Sequence, residues 1–254
     1  MGFYDLSKAE RIELVNNINK DIKQDIQHEQ STKLQLYFSN SDTYIRKTAY
    51  QAVGRIYLLS KELQTRIIEV LKDLLKSEDF KIRQSVINAA GEIGKTDFAK
   101  VQWFFDTGLF DSHHSAKNAV IGSIKKMGEV NPKPVLKWPG LYLHHADKEI
   151  RREICHGIEL RGRTHPEDIL VLLRELQYDN TSRVRKTLVH VLGQIAYKKD
   201  CLEKVVEDLK SWENKELVSD ALEEIIDVHH RYRNFSYMTQ EEARFYIEKN
   251  CYTE

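Results

Sequence analysis

The sequence predicts an all-α fold, a right-handed superhelical α-solenoid of about six antiparallel helix pairs, and three observations carry that reading. The 254-residue chain holds four prolines and eleven glycines, too few for the turns of a many-stranded protein. A hydrophobic share of 41% against 31% charge is lean for a sphere and suits a thin stack of helices. The third observation is a repeat. Ser41-Asp-Thr-Tyr-Ile-Arg46-Lys-Thr-Ala-Tyr-Gln-Ala-Val-Gly54-Arg-Ile returns as Glu78-Asp-Phe-Lys-Ile-Arg83-Gln-Ser-Val-Ile-Asn-Ala-Ala-Gly91-Glu-Ile. It returns again around Arg151 and Arg185, and more weakly around Ala116 and Val218, so the anchors recur at 46, 83, 116, 151, 185 and 218.

Each copy reads as two helices. In the second, Leu63, Ile67, Val70, Leu71, Leu74 and Leu75 recur at helical spacing, Ser77-Glu-Asp79 interrupts, and Ile82, Val86, Ala89, Ala90 and Ile93 form a second stripe. So short a turn forces the helices antiparallel. Asp42, Asp79 and Asp147 precede their anchors by four residues, where a carboxylate accepts N-terminal amides and meets the positive end of the helix dipole. Gly94, Gly128 and Gly162 are read as left-handed helix ends, with Pro132 and Pro166 opening the next helix. Pro139 is expected to kink the first helix of the fourth copy, beside a core Trp138. The pairs fall near 20–58, 61–95, 97–129, 132–163, 166–198 and 200–232, in one repeat domain spanning 1–254. Residues 233–254 read as a terminal cap: Thr239-Gln-Glu-Glu242 opens a last helix, and Tyr232, Phe235, Tyr237, Phe245 and Tyr246 cover the end of the stack.

The pattern Asp-x-x-Ile/Val-Arg-x-x-Ala-x-x-Ala/Val-hydrophobic-Gly-x-Ile resembles the HEAT-repeat family over roughly residues 20–232. That resemblance implies an internal Asp–Arg ladder made by Asp42, Arg46, Asp79, Arg83, Asp147, Arg151 and Arg185, with second helices lining a concave groove. A second resemblance covers about half of the chain. Leu109-Phe-Asp-Ser-His-His-Ser115, Lys137-Trp138, Ile150-Arg-Arg152 and Leu188-Val-His-Val-Leu-Gly193 are similar in order to the motifs of the HEAT-like bacterial alkylpurine DNA glycosylases of DNA alkylation repair. Here His114 stands where that family has its catalytic Asp, and Phe110 and His190 where it has flanking Trp. Without those residues the resemblance implies a DNA-binding relative that is not an enzyme.

Taking the anchor as position zero, the columns one and five residues later lie opposite the apolar stripe and face the groove. The first reads Lys47, Gln84, Lys117, Arg152, Lys186, Ser219; the second reads Gln51, Asn88, Ile121, His156, His190, Glu223. The candidate binding residues are therefore Lys47, Gln51, Asn88, Lys117, Arg152, His156, Lys186 and His190. A basic ladder beside a hydrogen-bonding one suits an acidic peptide or a phosphate backbone. The expected function is a non-enzymatic scaffold binding a protein or acidic peptide, and the alternative is DNA binding through the basic ladder. Zero net charge hides an asymmetry of +1 over 1–110, +6 over 111–199 and −7 over 200–254, so the cations concentrate in the middle.

No catalytic set, cofactor fingerprint or metal-ligand spacing is found. Adjacent His pairs (His113-His114, His144-His145, His229-His230) read as capping or surface residues, because neighbours on a helix diverge by about 100°. Three distant cysteines, Cys155, Cys201 and Cys251, read as reduced packing residues. With no apolar run near the roughly 20 residues a membrane span needs, a cytoplasmic chain that avoids membranes is expected.

Overall fold

The computed structural model describes residues 2–251, among which there is no strand. The helices fall into two units. Unit 1 (Met1–Asn131) holds α1 (Lys8–Gln27), α2 (Thr32–Phe38), α3 (Thr43–Leu59), α4 (Gln64–Leu74), α5 (Phe80–Gly94), α6 (Phe98–Gly108) and α7 (His114–Val130). Unit 2 (Pro132–Glu254) holds α8 (Pro132–Val135), α9 (Lys137–Gly140), α10 (Lys148–Gly162), α11 (Glu167–Arg174), α12 (Ser182–Gln194), α13 (Leu202–Lys210), α14 (Lys215–Arg231) and α15 (Gln240–Cys251).

In unit 1 the second helices α3, α5 and α7 pack side by side, with α4 and α6 behind them. Asp42 and Asp79 cap α3 and α5 by accepting the amides of Tyr44 (2.7 Å) and Lys81 (2.8 Å). Val86, Ile87, Phe104, Phe105 and Val120 are fully buried between the layers. Each such side chain contributes about 1.5–3 kcal/mol by leaving water, which holds the layers together. The first copy departs from the expected boundary near residue 20, which falls inside α1. Its reason is Asp25, a buried carboxylate on α1 that accepts the Lys33 (2.7 Å) and Leu34 (3.0 Å) amides and so starts a separate short α2.

In unit 2 the row is α10, α12 and α14, with α11 and α13 behind. Asp147 caps α10 through the Glu149 amide at 2.8 Å. Before α10 the chain turns through α8 and α9 with Pro139 inside the second, and Trp138 is buried with its ring 4.9 Å from that of Tyr142. The terminal helix α15 begins at the Thr239–Glu242 capping box and packs on α13 and α14. Its buried residues are Ala243 and Ile247, whereas Phe235, Tyr237 and Phe245 are exposed. The aromatic cover expected there is corrected accordingly: Tyr232 stacks on Tyr197 with ring centres 5.3 Å apart and Tyr246 is half-buried beside α13, but the other three are exposed.

The glycines also need correction. No glycine among the described residues has positive φ, so Gly94, Gly128 and Gly162 are not left-handed helix ends. Gly94 and Gly162 are buried where a Cβ would collide with Met127 and Ile169 respectively. In the repeated column, a Cβ on Gly91 would lie 2.5 Å from Ser123 Oγ and 2.8 Å from its Cβ, because α5 and α7 approach closely there. Gly91→Val is therefore expected to lower stability by about 1–3 kcal/mol, since overpacking outweighs the small helix-propensity gain. Urea denaturation followed by circular dichroism checks it; a variant as stable as the parent would show that the helices can separate freely.

Candidate functional site

The site grows out of the turn that precedes each second helix. Two residues before the helix cap, the side chains of Asn40, Ser77, Asp111, His145 and Asp179 accept the amides of Asp42, Asp79, His113, Asp147 and Thr181. Where that residue is Asp, the anchor arginine of the preceding copy docks on it. Arg83 donates from Nε and Nη2 to Asp111 at 2.7 and 2.9 Å, and Arg151 does the same to Asp179 at 2.6 and 3.2 Å. The remaining Nη1 of each reaches two carbonyls of its own turn, Ser77 and Glu78 for Arg83, His145 and Ala146 for Arg151. Arg46 keeps the same carbonyl contacts, to Asn40 and Ser41, with Ser77 where the carboxylate would stand.

The expected ladder is thus corrected in its partners. Asp42, Asp79 and Asp147 cap helices, and the carboxylates that meet arginines are Asp111 and Asp179. His113, through Nδ1, accepts the Ser115 amide and takes the capping role on α7 that Asp111 leaves. Arg185 departs further. It is exposed, and among the described residues its side chain meets neither a carboxylate nor its own turn's carbonyls. The place two residues before the α14 cap, Asn214, is held by the buried indole of Trp212.

Stacked helix pairs joined by these arginine-carboxylate junctions define the architecture. Each unit has the stacked helix pairs of an α-solenoid. No family model matches the chain, and no curated protein matches it. Solved structures with similar helical arrangements include an engineered protein (15% identity, 78% of this chain and 96% of that one, TM-score 0.37). A chain of the Pds5–Scc1 complex matches at 13% identity over 89% of this chain and 38% of its own length, TM-score 0.49. A computationally designed armadillo repeat protein for modular peptide recognition matches at 17% identity, over 75% of this chain and 96% of that one, TM-score 0.32.

The eight candidate residues divide four and four. In unit 1, Lys47 on α3 and Lys117 on α7 are exposed, while Gln51 and Asn88 are half-buried, and Asn88 donates back to the Gln84 carbonyl at 2.9 Å. In unit 2, Arg152, His156, Lys186 and His190 converge on one cleft of about 570 Å³ between α10 and α12, together with Lys148 and Arg183. Arg152 is paired there, with Glu149 at 3.1 Å and with Glu153, and Arg183 reaches the same Glu149 at 3.3 Å. The rings of His156 and His190 are 6.0 Å apart; each faces a carboxylate, Glu159 at 3.3 Å and Glu224 at 3.4 Å. A second cleft of about 510 Å³ runs between α12 and α14, lined by Arg185, Lys186, Arg231, Glu216, Asp220 and Glu224 among others. Lys186 and His190 border both.

Two residues bear on this face in roles that the sequence did not reveal. Glu159 occupies the column of Gly54, Gly91 and Gly193, and it is buried against Arg163 Nη2 at 2.5 Å. That departure from the repeat was its only signal. Arg185, a ladder residue by its place in the repeat, stands free of the ladder.

The residues matched to the glycosylases are placed in different units. Phe110 is exposed at the turn after α6, and His114 opens α7 with its ring stacked on that of His113, itself stacked on Phe80. His190 belongs to α12 of unit 2. The nearby Asp111 is committed to Arg83 and the His113 amide. Of the remaining His pairs, His144 Nε2 meets Glu175 at 2.8 Å, and His229 is buried, so desolvation pushes its imidazole below the ordinary value even though it bonds to the Ile225 carbonyl. Among the described residues no group of three His, Cys, Asp or Glu is arranged to hold a metal ion. Among the described residues no helix is long and apolar enough to cross a membrane. Cys155, Cys201 and Cys251 are unpaired, and burial pushes the Cys155 thiol far up, away from thiolate chemistry.

Proposed function

We propose that the chain is a non-enzymatic scaffold that holds an acidic peptide segment of a partner protein along α10, α12 and α14 of unit 2. The observation that carries this reading is that Lys148, Arg185 and Lys186 are exposed on that face and meet no carboxylate among the described residues, while Arg152, Arg183 and Arg231 are all paired. Unpaired cations on a packed, regular helix row offer charge complementarity without further folding. The carboxylates of Glu216 and Asp220 in the second cleft repel a uniformly negative phosphate chain, and they suit a polypeptide whose charges vary along its length. Lys47, Gln51, Asn88 and Lys117 form the corresponding face of unit 1, a separate contact surface. The buried free thiols suit a reducing, cytoplasmic setting.

The test is fluorescence anisotropy with a labelled glutamate-rich peptide interrupted by lysines and with labelled duplex DNA, at about 50 and 200 mM salt. The peptide is expected to bind. The Lys148→Glu/Lys186→Glu double variant, with an unchanged helical spectrum, should weaken it by about tenfold or more. Tight DNA binding with a steep salt slope, and none of the peptide, would replace this reading with the phosphate-backbone one.

A further inference from the structure

We infer that Arg185 is the anchoring point of that peptide, its guanidinium receiving a partner's carboxylate in the forked geometry that Arg83 and Arg151 use inside the chain. The inference rests on the scaffold reading and names the contact that fixes the partner in register. The chain supplies its own template. At two junctions an anchor arginine donates Nε and Nη2 to one Asp, and its Nη1 is tied to two carbonyls of its own turn. Arg46 lacks the carboxylate and keeps the carbonyls. Of these four anchor arginines, Arg185 alone has been released from both.

The cause is local to the sixth copy. Trp212 takes the position of the accepting Asp and buries its indole, with Nε1 donating to Asp208 Oδ2 at 2.7 Å. The following Glu213, the nearest carboxylate in sequence, accepts instead from the Tyr178 hydroxyl at 3.1 Å. Arg185 therefore lines the 510 Å³ cleft on the exposed side of α12 rather than the turn beneath it. A planar guanidinium with free Nε and Nη donors matches a carboxylate with two parallel hydrogen bonds, which an ammonium cannot reproduce.

The other charges of the cleft narrow the partner. Lys186 adds a second cation beside Arg185, and Arg231 and His190 are both turned to Glu224. Glu216 and Asp220 are exposed with no cation against them among the described residues. The occupant that satisfies both sides is a peptide carrying an Asp or Glu for Arg185 and a Lys or Arg for Asp220 and Glu216.

The experiment is a double-mutant cycle between the full chain and a labelled peptide in which glutamate and lysine alternate with glycine. Binding of this peptide and its Glu→Gln analogue is measured on the parent and on Arg185→Lys, an exposed and charge-conserving change. Arg185→Lys is expected to weaken the glutamate peptide about tenfold and the glutamine peptide hardly at all, because only the fork is lost. The Arg185 Nε–H resonance should shift on saturation with the first peptide only. Binding of both peptides with coupling below about twofold would overturn the role of Arg185 and leave the scaffold reading standing. Absence of binding by either peptide, and by the glutamate-rich one, would remove both.

Discussion

Replacing Asp179 by alanine is expected to lower the stability of the fold by about 3 kcal/mol, the lower end of the range for breaking a buried ion pair. The carboxylate is 5% exposed and Arg151 12%. It accepts two bonds from Arg151 and one from the Thr181 amide, which opens α12. Truncation leaves the guanidinium in place with only the carbonyls of its own turn and the Thr181 hydroxyl at 3.1 Å. The cost is that of a largely enclosed charge stripped of its counter-ion, so removing both partners, as in Arg151→Met/Asp179→Leu, should cost less than either single change. Urea denaturation of the three variants measures it. A single-variant loss below about 1 kcal/mol would show that water screens the junction as it does a surface pair.

The same junctions set the response to acid. Burial alone would push the Asp111 and Asp179 carboxyls up; the hydrogen bonds from Arg83 and Arg151 and from the following amides outweigh it, and both groups lie below the ordinary 3.8. A depressed folded value means that the stabilisation is complete above the unfolded value and is lost as pH falls through the folded one. The urea midpoint should accordingly hold at higher pH and drop below about pH 4, and the drop should be smaller in Asp179→Asn, which has no carboxylate to protonate.

The helix pairs were legible because the repeat is spelled in side chains that the fold needs at fixed spacing: the capping Asp42, Asp79 and Asp147, and the buried Ile82, Val86 and Ile93. The junction partners were not, for a physical reason. An Asp that caps its own helix and an Asp two residues before a cap look alike in one dimension, and only the turn geometry sends Asp111 and Asp179 toward the preceding copy. Gly162 illustrates the same ambiguity. Glycine at a helix end serves a left-handed cap or a close approach equally well, and here Ile169 and Ile195 fill the space a Cβ would need. On the candidate face, Lys47, Lys117 and Lys186 are exposed as helical period predicts, whereas Gln51, Asn88, Arg152, His156 and His190 are half-buried and Ile121 is buried. The period could not give pairing, because the Arg183–Glu149 contact joins residues from neighbouring copies. Nor could it show that Arg185, which holds the same place in the repeat as Arg151, would be set free by a tryptophan 27 residues later.

That tryptophan is the site of the second large effect. Trp212→Ala is expected to cost about 3–5 kcal/mol, because a fully buried indole leaves a cavity that the turn before α14 cannot close. Part of the loss is polar: Asp208 Oδ2 loses its Nε1–H donor, while Asp208 keeps Arg174 on the other oxygen. Trp212→Phe separates the two contributions by keeping most of the apolar volume and removing the donor, and should cost about 1–3 kcal/mol. Thermal and urea unfolding by far-ultraviolet circular dichroism reads both. The comparison also bears on Arg185. If burial of the indole, and not any contact with Arg185, is what excludes a carboxylate from the sixth junction, then folded Trp212→Phe should bind the glutamate peptide as the parent does. A phenylalanine variant that stays folded yet loses the peptide would mean that the indole itself orients Arg185.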